Sequence, residues 1–526
     1  MTITYVYLML SIINPASEDS GLSRRLREIT GDTSYRFTKA SDLSCIPYSI
    51  IVKGDGKTAA LLMNAPLMKE YYSGLSEYIY KGANSPDGVL LSGEAADVAI
   101  SDALSKPSFI YIEYHYPLPL SVITFYNGGH KINTVKNEVN TFYCDRIFIT
   151  PSGDYDGESE SDDDNESEND TGDYSFIMTA LSDDGSVYVS RISDEDDDSS
   201  YSTNIISFIL SCLEDSDFIS VDFAADVFDD GTSAFGKTAF FTNNILSVTD
   251  VSFIIRRNSE RNNNDNDNTQ TTTPDSVSVD SDDEIDTETE TLQDSSSDKN
   301  PDSESTDDST GESDNENEKD IRNEILRLFG YNPDKISPYP EADGVDVYVE
   351  KYGRLKFSSE ALVFEAMPDS GLPCGDYIYS SDTDFYDIYD IIVLTDGFIG
   401  KLREIDSETF GKDAYLALSS VAYENGEAIL TYDYMFNNVR IDTGEDHAVE
   451  MRVRISDSCI VYFSFRSFSC KNNITRSEIA KSLIIAPSYS GDINTPAGGY
   501  YVRLAYDVNK SAAIWQVYAR DSGGSS

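Results

Sequence analysis

The chain has 526 residues, with 94 Asp or Glu against 39 Lys or Arg and a formal net charge of −55. That balance argues against nucleic acid, because phosphate recognition needs clustered Lys and Arg, and it disfavours direct adhesion to an anionic membrane surface. The acid lies in low-complexity tracts rather than over every surface, so segmental disorder explains it better than a high-salt habitat.

The first element is the apolar run Ile3–Ile13, which ends at Asn14-Pro15. It is shorter than the ~20 residues a spanning helix needs, and it lacks the basic flank of a secretory signal. A signal-anchor within residues 1–16 that begins upstream is the favoured reading. An atypical signal peptide and a buried strand remain open. Arg24, Arg25 and Arg27 follow the run rather than precede it, which counts against a simple anchor.

Two apolar stretches, Tyr48–Lys53 and Lys57–Met63, flank Gly54-Asp55-Gly56. The Gly56-Lys57-Thr58 triplet suggests a phosphate loop, but the position where a P-loop needs its first glycine is Ile51. Two strands joined by a glycine turn fit better. Helical spacing follows in Leu67–Ile79 and in Ala95–Leu104. The stretch Phe109–Tyr116 reads as a strand, stopped by Pro117 and Pro119.

Strands are expected at Cys144–Thr150 and Tyr174–Ala180, on either side of an acidic insert, Gly153–Asp173, with 11 acids and no base. Its Asp154-Tyr155-Asp156-Gly157 misplaces the glycine of an EF-hand loop, so a solvated loop is preferred to a calcium site. A helix is expected at Tyr201–Leu213, and a strand at Val248–Ile255 closes this first region, residues 17–258.

Residues 259–319 carry 21 acids, three bases and no aromatic side chain. So little apolar surface cannot offset the ~1–2 kcal/mol per residue lost on ordering a backbone, so this is a disordered acidic linker. A second folded region, residues 320–522, follows. It opens with a short helix through Ile321, Ile325, Leu328 and Phe329, ended by Gly330. Strands are expected at Val345–Glu350, Leu355–Phe357, Ala428–Tyr434, Ala448–Ile455 and Cys459–Phe468. A helix at Arg476–Ala486 and strands at Gly499–Val508 and Ala513–Tyr518 complete it. The predicted class is α+β, with two mostly antiparallel sheet bodies, a few helices and the acidic linker between them.

Catalytic signals are few. His115, His130 and His447 share no metal-ligand spacing, and no nucleophile elbow occurs. Six widely spaced cysteines (Cys45, Cys144, Cys212, Cys374, Cys459, Cys470) form no metal or redox motif. A Cys459–Cys470 bridge is the one pairing left open, against the reading of all six as small buried hydrophobes. No catalytic, cofactor-binding or metal-ligating residue is therefore assigned, and no cofactor is expected.

Several phrases resemble the extracytoplasmic YycH/YycI-type accessory regulators of Gram-positive bacteria. In the first region they are the hairpin at Gly54–Gly56 and the stretch Leu104–Leu120. In the second they are Ile325–Pro333, Tyr339–Glu350, Gly353–Phe357, Leu430–Val439 and His447–Val449. The resemblance implies a YycH-like first region and a YycI-like second region. It implies a non-enzymatic, cell-envelope protein outside the membrane, membrane-associated or secreted. Its implied partner is a WalK-like membrane sensor histidine kinase, together with a paralogous accessory protein. The rival reading is a secreted carbohydrate-binding or carbohydrate-active protein, suggested by 35 Tyr and many acids.

Overall fold

The computed structural model describes residues 35–41, 44–62, 65–128, 141–151, 174–193, 201–223, 240–241, 246–254, 311–358, 361–378, 387–406, 414–436, 438–442, 447–466, 469–479, 500–507 and 512–519. The N-terminal run, His130, the insert at 153–173 and most of the acidic linker lie outside them.

The first sheet has eight strands, all antiparallel. They are β1 (Pro47–Gly54), β2 (Lys57–Leu62), β3 (Val89–Leu91), β4 (Phe109–Pro119), β5 (Tyr143–Pro151), β6 (Tyr174–Leu181), β7 (Val187–Ser193) and β8 (Ile219–Ser220), in the order β3-β7-β6-β5-β4-β1-β2-β8. The β1–β2 connection is a tight turn with Asp55 and Gly56 both at positive φ, 49° and 69°. That is the backbone a two-residue hairpin demands, and it makes the Gly-Lys-Thr triplet part of a hairpin.

This sheet is buried on both faces, so its strands read as continuous apolar runs rather than alternations. Ile50, Val52, Ile110, Ile112, Ile147 and Ile149 face one side. They meet helices α1 (Ala65–Ala83), α3 (Leu120–Gly128) and α4 (Tyr201–Glu214). Ile51, Phe109, Tyr111 and Phe148 point the other way, under α2 (Glu94–Ser105). A period of two sends neighbours to opposite faces, and each face found a helix to cover it.

A two-stranded pair, β9 (Asp222–Phe223) and β10 (Phe240–Phe241), precedes β11 (Leu246–Ile254). The second large sheet has 12 strands and is antiparallel except for one parallel pair. Its strands include β12 (Tyr339–Pro340), β13 (Asp346–Glu350), β14 (Gly353–Phe357), β15 (Ala361–Ala366) and β16 (Leu372–Pro373). The remainder are β17 (Ala414–Glu424), β18 (Glu427–Phe436), β19 (Val439–Asp442), β20 (Val449–Arg454), β21 (Cys459–Arg466), β23 (Tyr500–Asp507) and β24 (Ala512–Ala519). The strand β22 (Ser469–Ile479) pairs instead with β11. The chain is thus α+β with two mostly antiparallel sheets, as its pattern predicts.

Four local expectations change. The strand at Phe109–Tyr116 does not stop at Pro117 but continues to Pro119, because Pro117 falls within an irregularity between Glu113 and Leu118 and Pro119 is the strand's last residue. Arg476–Ile479, expected to begin a helix, lies in β22, where ladder bonds to β11 outweigh local helical pattern. That pairing also means β11 does not close the first region but joins it to the second. Helix α5 (Gly311–Leu328) takes over the last nine residues of the expected linker. Gly330, at φ 75°, follows it as expected.

The centre of the second half is α6 (Ile388–Ile405), opened by a capping box in which the Asp390 amide donates to Asp387 and the Asp387 amide to Asp390. Ile391, Ile392, Leu394, Phe398 and Leu402 are buried along it. The Phe398 ring meets Phe37, Tyr377, Phe329 and Phe463 with centroids 4.8–5.8 Å apart. Phe37 comes from the first half, and it sits so close to α6 that a Cβ on Gly397 would lie 2.1 Å from its ring.

The two halves therefore do not merely hang from one linker. A single hydrophobic cluster contains residues of α1, α3, α4 and the first sheet together with residues of α6 and the second sheet. Among the described residues, no helix is long and apolar enough to cross a membrane. If the shared core holds the halves together, protein nicked between residues 259 and 310 will run as one particle on native size-exclusion chromatography. The fragments will part only in denaturant; fragments that migrate separately under native conditions would show that the seam does not hold them.

Candidate functional site

The polar residues that meet at the seam are gathered by the irregular part of β4. Five residue steps, from Glu113 to Leu118, span what two steps, from Arg146 to Cys144, cover on β5. The excess bows His115 and Tyr116 out of the ladder, while Tyr114 still pairs with Pro47 of β1. Bulges re-aim side chains in this way. Here His115 and Tyr116 are aimed at the second sheet.

His115 meets Asn438, which follows β18 with φ 62°, a left-handed conformation that Asn tolerates better than most residues. Asn438 is fully buried and fully bonded. Its Nδ2 donates to the Pro47 carbonyl at 2.8 Å and to the Tyr48 carbonyl at 3.3 Å. Its Oδ1 accepts from the Tyr415 hydroxyl at 2.8 Å and stands 3.1 Å from His115 Nε2. Because Nδ2 is held as a donor by two carbonyls, Oδ1 must accept, so His115 carries its proton on Nε2. The Tyr48 ring packs edge-on against His115, centroids 5.3 Å apart.

Tyr116 reaches Asp433 on β18. The Tyr116 hydroxyl donates to Asp433 Oδ2 at 2.5 Å, and Arg440 Nη2 lies 3.2 Å from the same oxygen. His447 Nδ1 lies 3.2 Å from Asp433 Oδ1. Arg440 also sits over the Tyr116 ring. A buried carboxylate surrounded by three donors is well satisfied, and it orients His447 as an acid orients a catalytic imidazole. The arrangement can hold and orient.

A third cluster lies deeper, on α6. Asp396 accepts from the Ser41 amide at 2.7 Å and from the Ser44 hydroxyl at 3.3 Å. Burial pushes its carboxyl up to about 6, opposed in part by the Ser41 amide and the nearby hydroxyls. The phenols of Tyr126 and Tyr432 face it closely enough to lower that value, although neither makes a hydrogen bond of regular geometry. Burial, reinforced by Asp396, pushes the Cys45 thiol far above its ordinary value, so it is an inert packing group.

His115 and His447, more than 300 residues apart, thus end in neighbouring networks that share β18 and its following turn. Among the described residues, no group of three or more His, Cys, Asp or Glu is arranged to hold a metal ion. Lys57 and Thr58 begin β2 and pair with Gly54 and Lys53 in the hairpin. Cys459 is a free thiol on β21, while Cys470 pairs with Phe253 in the separate β11–β22 ribbon. Sequence reasoning missed Asn438, Asp433 and Asp396 altogether. Their only local signal was polarity inside apolar runs, as in Thr431–Phe436 and Ile391–Ile399. No family model, curated protein or solved structure matches the chain.

Replacing Asn438 with Ala should be far costlier than an average core change. It strips two carbonyls and the Tyr415 hydroxyl of partners in a dry seam, at ~1–3 kcal/mol for each group left unsatisfied. A loss on the order of 3–5 kcal/mol in denaturant unfolding is expected, against less than ~0.5 kcal/mol for Lys57→Ala in the exposed hairpin. Equal effects of the two changes would refute this account of the seam.

Proposed function

We propose that this is a non-enzymatic regulatory protein of the cell envelope that acts by contact. Following the YycH/YycI resemblance, its partner is the extracytoplasmic sensor region of a membrane histidine kinase. The observation that best supports a contact role is the state of the two sheet edges. The first sheet ends in β3, a three-residue strand with Val89 52 % and Leu90 46 % exposed. The second ends in β12, where Tyr339 is 65 % exposed and Val349 of the adjoining β13 is 49 % exposed.

A sheet edge offers backbone N–H and C=O groups to an added strand, and exposed apolar side chains beside it supply anchors. The polar groups of the seam, by contrast, are engaged in holding the halves to each other. In this reading affinity comes from the apolar anchors, while the −55 charge governs association rate and salt dependence.

The double variants Val89→Asp/Leu90→Lys and Tyr339→Lys/Val349→Asp test it by capture of the cognate kinase ectodomain. Loss of a buried anchor is worth ~2 kcal/mol, so affinity should fall about 30-fold for at least one pair, while the melting temperature stays near that of the parent. Undiminished capture by both variants would overturn the edge model. Hydrolysis of cell-wall glycans by the purified protein would overturn the non-enzymatic reading itself.

A further inference from the structure

Before it enters β1, the chain lies across α6 as a strap with neither helix nor strand geometry at residues 35–41. Few bonds hold it. Arg36 Nη1 donates to the Gly375 carbonyl at 2.7 Å, and the Phe37 amide donates to the Tyr377 carbonyl at 2.8 Å. The Phe37 ring sits on Tyr377 and Phe398. At the far end the Leu418 amide donates to the Ser44 carbonyl at 2.7 Å. Between these points, both oxygens of one buried acid receive the strap: Asp396 Oδ2 takes the Ser41 amide and Oδ1 takes the Ser44 hydroxyl.

We propose that Asp396 is a pH-sensitive latch that holds the strap of residues 35–41 and 44–46 against α6 more tightly when its carboxyl is protonated than when it is ionised.

The geometry supplies the reason. Among the described residues, the groups that face the carboxyl are the Ser41 amide, the Ser44 hydroxyl and the Cys45 thiol from the strap, Tyr126 from α3 and Tyr432 from β18. On α6 itself the neighbouring Thr395 hydroxyl turns away, to the Ile391 carbonyl and the Met451 sulfur. These are neutral groups: dipoles and hydroxyls soften an ionised carboxylate in a dry seam but do not neutralise it. A protonated carboxyl keeps the Ser41 bond through one oxygen, and its O–H can donate to Ser44 through the other. Lifting the strap admits water to the carboxyl and removes the penalty on its charge.

The sign follows from the two states. With the strap down, burial raises the carboxyl to about 6. With the strap lifted, it returns towards the ordinary ~3.9 of Asp. Tight closure is therefore fully present below about pH 4 and is lost as pH rises through about 6, then stays level. The closing equilibrium weakens by about 100-fold across that window, which is the two-unit difference read as a ratio. An acidic exterior would thus seal the seam and a neutral one would loosen it, whatever partner the protein meets.

Peptide-resolved hydrogen exchange on the full chain, from pH 4 to 7.5 and corrected for intrinsic rates, tests the latch. In the wild type, protection of a peptide spanning residues 35–46 should fall about 40-fold between pH 4 and pH 6.5 and then level off. Peptides from β5 should not follow it. Asp396→Asn should show no such step. Ser44→Ala, which removes one donor from the carboxyl, should move the midpoint to higher pH, and it serves if the Asn variant does not fold. Strap protection that ignores pH would overturn the proposal. So would a step that survives in Asp396→Asn, an unmoved midpoint in Ser44→Ala, or a strap that opens only together with β5.

Discussion

A buried amide that must find four partners constrains how the two halves of this protein meet. Asn438 lies in the second half, yet its two donors are answered by backbone carbonyls at the start of the first sheet and its oxygen by a histidine of β4 and a tyrosine of β17. Apolar surfaces can slide by an ångström at small cost, because dispersion and the hydrophobic effect have little directionality. A fully bonded amide cannot. It fixes one register between the halves, and the shared aromatic cluster around Phe398 then packs to that register.

The same logic explains why β4 is irregular. A regular strand through residues 113–118 would have kept His115 and Tyr116 in the ladder of the first sheet. The added length on β4 turns them towards β18, where Asn438 and Asp433 take their polar atoms. The neighbouring Tyr114 stays within the first half's core, beside Tyr72, its phenol raised well above the ordinary value by burial and then by that neighbour. One irregularity thus serves both halves.

His115 and His447 are engaged in contacts across and beside the seam. Of the exposed apolar side chains, Val89, Leu90, Tyr339 and Val349 lie at the ends of the two sheets, while Val98 and Leu210 lie on helices. The proposed latch at Asp396 would give the molecule a part whose hold changes without disturbing either sheet, since local opening costs less than global unfolding.

Much of this fold was legible in the residues. The β1–β2 hairpin announced itself through Gly54-Asp55-Gly56 between apolar runs, α1 and α2 through their 3.6-residue spacing, and the end of α5 through Gly330, because these signals act within a few residues of the chain. What could not be read locally was the pairing of β11 with β22, the passage of β4 through two prolines, the burial of α6 or the meeting of His115 with Asn438. The partners in these contacts lie in distant segments; β11 and β22 are more than 200 residues apart. By itself the sequence determined the α+β class, the hairpins, the helices with strong periodicity and the acidic composition of the linker. The tertiary structure alone decided that the halves share one core and which polar side chains join them, because a buried polar group is satisfied by whatever the whole fold places beside it, and no local pattern encodes that neighbour.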